Sequence, residues 1–203
     1  MRVLHTADWH LGAYVGPQCD DPALRMASTM KCLDHMVSVA TIEKPDVILV
    51  AGDLIHQAKT WSDRAFVEAE AAAGVLNRLA DIAPVVVLYG TPNHDNAAGF
   101  RLMQQMCPCV NFITEPDLIT VDTFEWRIQI AGVPGVDKGI LRAQRPGLDA
   151  ETENRLITAG TADIIRGLSA RLDPALPAVL KAHHTVIGCT LDNGQEVIDA
   201  AEP

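Results

Sequence analysis

No apolar run in this chain approaches the length needed to cross a bilayer. The longest, Val47 to Ala51 and Pro84 to Leu88, fall far short of roughly 20 residues, so no membrane span is expected. The opening MRVLHTADWH has no apolar core behind a basic start and no small-residue cleavage site, which argues against a secretory signal and for the cytoplasm. Disulfide chemistry is equally ill served. Cys19, Cys32, Cys107, Cys109 and Cys189 are odd in number and form no CxxC pair, so reduced thiols are expected, including those of the Cys107-Pro108-Cys109 stretch. Positive charge is scarce too. A formal net charge of −10 speaks against a surface that grips nucleic acid strongly by itself. There is no repeat of 20 to 50 residues and no low-complexity tract, which excludes solenoids and disordered linkers.

What is present suits one globular unit. The 203 residues are 48% hydrophobic, enough for a sizeable core in a single domain spanning 1–203. Short apolar runs predict strands at Arg2 to His5, Asp46 to Ala51, Val85 to Tyr89, Ile128 to Val133 and Ala178 to Ala182. Helices are predicted between them. Leu24, Met30, Leu33, Val37 and Ala40 fall near helical spacing within Pro22 to Lys44. Ser62 and Asp63 would cap a second helix presenting Phe66, Ala69, Ala73, Leu76 and Leu79, and Ala159 to Arg171 suggests a third. The alternation is that of an α/β fold, a sheet covered by helices. Asp192-Asn193-Gly194 signals a turn ahead of a further strand.

The chemistry follows the apolar runs. Asp8 and His10 come after the first, Asp53 after the second, Asn93, His94 and Asp95 after the third, and His183 and His184 after the last. Carboxyl ends of parallel strands converge on one crevice, so residues distant in sequence should meet there. Taken singly, Asp8 or Asp53 could cap a helix and Asn93 could hold a turn. Four such groups at successive strand ends point instead to a constellation. Carboxylate, imidazole and amide oxygen together suit a divalent ion such as manganese better than a thiolate-seeking one.

Three of these stretches, Ala7-Asp8-Trp9-His10, Ala51-Gly52-Asp53 and Gly90-Thr91-Pro92-Asn93-His94-Asp95, resemble in order and spacing the first signatures of the calcineurin-like phosphoesterases. Thr91 and Pro92 are a departure, inserted after the glycine of the usual Gly-Asn-His-Asp. Gly52-Asp53-Leu54-Ile55-His56, HTADWHLG at the start, IQIAGVP at 128–134 and KAHHTVIG at 181–188 further resemble the SbcD-like DNA exonuclease branch.

The resemblance implies a layered α/β sandwich with central mixed sheets flanked by helices. It implies two divalent metals, manganese foremost: Asp8, His10 and Asp53 on one, Asp53, Asn93 and His183 on the other, with Asp53 bridging. His183 is preferred over His184 by its spacing to Gly188. His94 becomes the proton donor to the leaving oxygen, Asp95 the group that orients it, and His56 a DNA-positioning residue. Trp9 and Trp61 are either base-stacking or core residues. The implied partners are DNA, an SbcC-like ATPase and a second copy in a homodimer, with DNA affinity drawn largely from parts outside this core. A further family signature, Gly-His-x-His, gives each metal one more imidazole, yet the sequence contains neither Gly-His nor His-x-His. The expectation is a metal site short of ligands in this chain and weak activity from it alone.

Overall fold

The computed structural model describes residues 1–12, 21–56, 63–95, 97–184, 186 and 189–190. Its strands are β1 (Val3–Thr6), β2 (Val47–Val50), β3 (Val85–Leu88), β4 (Val110–Ile113), β5 (Asp117–Asp122), β6 (Arg127–Val133) and β7 (Ala178–Ala182). Its helices are α1 (Pro22–Glu43), α2 (Asp63–Ala80), α3 (Ala97–Met106), α4 (Lys138–Gln144) and α5 (Ala150–Ser169). The Asp192-Asn193-Gly194 turn, Ser62, Trp61 and Cys19 lie outside the described residues. Among the described residues no helix is long and apolar enough to cross a membrane.

The strands form two sheets. One is all parallel in the order β1-β2-β3-β4; in the other, β6 pairs antiparallel with β5 and parallel with β7. Side chains alternate across a strand, and this explains the unbroken apolar runs. Val47 and Leu49 of β2, with Val86 and Leu88 of β3, pack toward Ile113, Val121, Ile128 and Ile130 between the sheets. Their neighbours Ile48, Val50, Val85 and Val87 face outward onto Leu33 and Ala40 of α1, Leu76 and Leu79 of α2, and Phe100 and Met103 of α3. On the far side, Leu168 of α5 covers Ala131 and Val133 of β6. The result is a helix–sheet–sheet–helix sandwich, as the fold class predicts.

The helical faces need correction at their ends. Leu24 of α1 and Phe66 of α2, placed on the buried stripe by spacing alone, are exposed. Helix α1 itself is well delimited. Asp21 caps it by accepting from the Ala23 N–H, Pro22 needs no partner in the first turn, and Lys44 closes it in the left-handed region. Trp9 is a core residue, buried with its indole N–H donating to the Thr6 hydroxyl at 3.0 Å. Cys107 is buried and Cys109 exposed.

One buried residue is out of keeping with this core. Lys181 of β7 points inward between the sheets and donates to the Val86 carbonyl at 2.7 Å. Burial pushes its amine down to about 6, so it is neutral in the folded protein at pH 7 and charged in the unfolded chain. The unfolded state then binds the extra proton, and this contribution to stability grows as pH rises from about 6 toward 10.5. Lys181→Met should therefore be more stable than the parent at pH 7. Its advantage should shrink by about 1.4 kcal/mol per pH unit between pH 7 and 9. Urea unfolding of both proteins across that range measures the gap; a constant gap would contradict a neutral buried amine.

Candidate metal centre

The loops leaving β1 and β2 run side by side beyond the sheet. Asp8 N–H donates to the Gly52 carbonyl at 3.1 Å, His10 N–H to Asp53 at 2.9 Å, and Leu11 N–H to Leu54 at 3.0 Å. This continued pairing lays the Asp-Trp-His stretch against Gly-Asp. Asp8, His10 and Asp53 all have positive φ, at 53°, 44° and 52°. Left-handed backbone costs a non-glycine residue roughly 1–2 kcal/mol, and such strain gathers where side chains must be aimed for function. Lys44, the C-cap of α1, is the fourth non-glycine residue of this kind among those described.

The third loop enters through glycines. A Cβ on Gly52 would collide with the Gly90 backbone, and one on Gly90 would run into Asp53. Those two positions let the loops after β2 and β3 touch. The Thr91 N–H then donates to Asp53 Oδ1 at 2.7 Å, and its hydroxyl lies 3.2 Å from the same oxygen. Thr91 is a site residue the sequence reading missed. The only signal for it was the departure from Gly-Asn-His-Asp, which places an extra hydroxyl immediately after the glycine.

The second sheet supplies the last member. His183 follows β7 on the inward face shared with Val179 and Lys181, and its Nε2 lies 3.3 Å from Asp53 Oδ2. Its Nδ1 lies 2.6 Å from the Ala51 carbonyl and donates to it, which leaves Nε2 turned to the carboxylate. His184 points the other way, with Nε2 3.0 Å from the Pro134 carbonyl. Ligand atoms of Asp8, His10 and Asp53 lie within 4.8 Å of one another. His10 Nε2 is 3.7 Å from Asp8 Oδ1 and 3.9 Å from Asp53 Oδ2. Asn93 is exposed on the turn after β3.

Charge in this cluster is arranged for a cation. Burial pushes the Asp53 carboxyl up, but hydrogen bonds from His183 and Thr91 and the nearby imidazoles outweigh it and hold the group below its ordinary value. The Asp53 carboxylate in turn raises His183 to about 9 against the opposing effect of burial. Burial, with His94 alongside, lowers His10.

The calcineurin-like phosphoesterase profile matches residues 1–202. The chain belongs to that family. Among solved structures it is similar to the Pseudomonas putida nuclease MPE, at 18% identity and a TM-score of 0.37 over 58% of this chain and 50% of that one. It is also similar to Yfce, a phosphoesterase from E. coli, at 15% identity and a TM-score of 0.33 over 64% of this chain and 56% of that one. The chain thus spans about half the length of each.

For a calcineurin-like phosphoesterase the donor set fits the family's divalent metals. Two carboxylates and two imidazoles converge from both sheets, each imidazole with a nitrogen toward Asp53, and the Gly52 and Gly90 contacts leave no room for bulk behind that carboxylate.

Asp95 departs from the expectation that it orients His94. Its carboxylate is buried and accepts instead from the N–H groups of Asp53 at 2.8 Å, Leu54 at 3.0 Å, Gly90 at 3.0 Å and Ile55 at 3.4 Å. It pins the second and third loops together beneath Asp53. Burial pushes its carboxyl up to about 6 against the pull of those N–H groups. His94 Nδ1 lies 2.5 Å from the His56 carbonyl, so main chain performs the orienting. A backbone acceptor leaves no mark in sequence. Asp95→Ala should orphan the buried N–H groups of Asp53, Leu54, Ile55 and Gly90, each costing about 1–3 kcal/mol, and lower unfolding stability by about 3 kcal/mol or more. Asp95→Asn, which keeps one carbonyl oxygen, should cost about half as much; equal stability of Asp95→Ala and the parent in urea would refute the clamp.

Proposed function

We propose that this protein is a metal-dependent phosphodiesterase acting on DNA ends, the nuclease core of an SbcD-like exonuclease working in the cytoplasm with an SbcC-like ATPase and a second copy of itself. The observation that carries the hydrolytic part is the meeting of Asp8, His10 and His183 on Asp53, with Asp8, His10 and Asp53 held in left-handed backbone. Asp8, His10 and Asp53 would hold one ion and Asp53, Asn93 and His183 the other, manganese suiting these oxygen and nitrogen donors. Bound divalent ions supply Lewis acidity and an activated water nucleophile at neutral pH.

The side chains perform the rest. Asp53 sets the spacing between the two halves of the site, its Oδ1 fixed by Thr91 and its Oδ2 facing both imidazoles. His183 is raised to about 9 and so carries a proton in the metal-free protein, which it must release to act as a ligand. His94, anchored through Nδ1 to the His56 carbonyl, presents Nε2 as the atom that donates a proton to the departing sugar oxygen. The His56 ring stands beside both His10 and His94, where it would contact the phosphate backbone of DNA.

The DNA specificity rests on the likeness of Gly52-Asp53-Leu54-Ile55-His56 and 181–188 to the SbcD-like branch. The net charge of −10 favours a second reading, a phosphoesterase of the same fold acting on a small molecule or a phosphoprotein. Rates on single-stranded DNA, duplex ends, nucleotides and phosphopeptides, measured side by side with manganese, separate the two. DNA turnover well above the rest is the expected result, and preference for a nucleotide or phosphopeptide would overturn it.

A further inference from the structure

On the side of His10 away from the carboxylates lies a second group of ligands. One ring nitrogen each from His10, His56 and His94 lies within 4.8 Å of the others, all three side chains half-buried. The rings crowd together, with centroids 5.4 Å apart for His10 and His56, 4.6 Å for His10 and His94, and 5.2 Å for His56 and His94. His10 Nδ1 and His56 Nδ1 face each other at 3.4 Å. Two imidazole nitrogens bound at about 2.0–2.1 Å to one tetrahedral ion stand about 3.3–3.4 Å apart. The pair is therefore already at coordination spacing. His94 has the second feature of a ligand, since its Nδ1 is held by the His56 carbonyl and Nε2 is left for an ion.

We infer that His10, His56 and His94 form a nitrogen-only site for a borderline divalent cation of the zinc class, and that its occupancy excludes an ion from the adjoining Asp8–His10–Asp53 site. Three neutral imidazoles without a carboxylate select zinc, nickel or copper over magnesium and manganese, and an open fourth position remains for water. Exclusion follows from the single ring proton of His10. Coordination through Nδ1 leaves that proton on Nε2, which faces Asp8 and Asp53 and then donates to them instead of binding an ion. The two sites compete for one side chain. The exclusion, though not the binding, rests on the metal-dependent reading above: zinc would take His10 from the hydrolytic centre and cover the Nε2 of His94, inhibiting the enzyme that manganese supports.

The test is zinc binding to the whole protein by competition with a chromophoric chelator, alongside the visible absorption of its cobalt(II) form. His56→Ala and His94→Gln should each weaken zinc binding at least about tenfold, since losing even an outer partner of a ligand costs 10–100-fold. Both should also lose the intense tetrahedral cobalt bands. Wild-type zinc affinity or unchanged cobalt bands in either variant, with folding verified by circular dichroism, would overturn the site. Manganese paramagnetic resonance separates this from the functional reading. Zinc should displace bound manganese from the parent protein, and retention of manganese at saturating zinc would overturn the exclusion. A protein that binds zinc through His56 and His94 but never binds manganese would refute the proposed hydrolytic centre while leaving the three-histidine site standing.

Discussion

Asp53→Ala should abolish manganese binding, whereas Asp8→Ala should weaken mainly one ion. The difference follows from position. Asp53 Oδ2 faces both His10 and His183, at 3.9 and 3.3 Å, so both imidazoles depend on it, while the short contact of Asp8 is with His10 at 3.7 Å. Losing an anionic ligand that two ions would share would remove charge from both. Elemental analysis of protein equilibrated with manganese reads the stoichiometry directly. Two ions retained by Asp53→Ala with unchanged affinity would end the bridging assignment. The same variant has a metal-free signature. The Asp53 carboxylate is the largest cause of the raised His183 value, so His183 should titrate well below about 9 once it is gone, as followed by imidazole proton resonances. Failure of that value to fall would show that the ion pair is not what holds the proton.

His94→Ala should lower phosphodiester turnover by about 100 to 10,000-fold, the usual contribution of a positioned general acid. Manganese binding through Asp8, His10, Asp53 and His183 should persist, because His94 is tethered through Nδ1 to the His56 carbonyl and is not among the proposed ligands. A substrate with a leaving group that needs no proton, such as a nitrophenyl ester, should lose much less. Near wild-type turnover on DNA, or an equal loss on both substrates, would remove His94 from the role of acid.

Much of this architecture could be read from particular residues. Val47 to Val50 and Val85 to Leu88 sit between helices and the second sheet, so both faces are buried and the runs are continuously apolar. Strands β4 and β5 escaped notice for the converse reason. They are edge strands, β4 reading Val-Asn-Phe-Ile and β5 Asp-Leu-Ile-Thr-Val-Asp, with one side toward solvent and polar residues among the apolar ones. Helices α3 and α4 were missed because they are short, with 10 and 7 residues, too few turns for a periodic stripe to stand out. Phe66 and Leu24 fit their stripes by spacing yet are exposed, because helical period reports a face and not whether another element covers it at that turn.

The sequence by itself determined which residue types stand at the strand ends, that the cluster is one of carboxylates and imidazoles, and the family to which these belong. Strand periodicity and motif order are local properties, written in neighbouring residues. Only the tertiary structure decided which of them meet. That His183 reaches Asp53 while His184 turns to Pro134 depends on the second sheet packing its inner face on the first. That Asp95 clamps backbone beneath the site, that a carbonyl of His56 holds His94, and that Thr91 grips Asp53 depend on main-chain groups brought together from loops about 40 residues apart. Every residue carries the same N–H and carbonyl apart from proline's missing N–H, so such contacts leave no pattern in a sequence until the chain is folded.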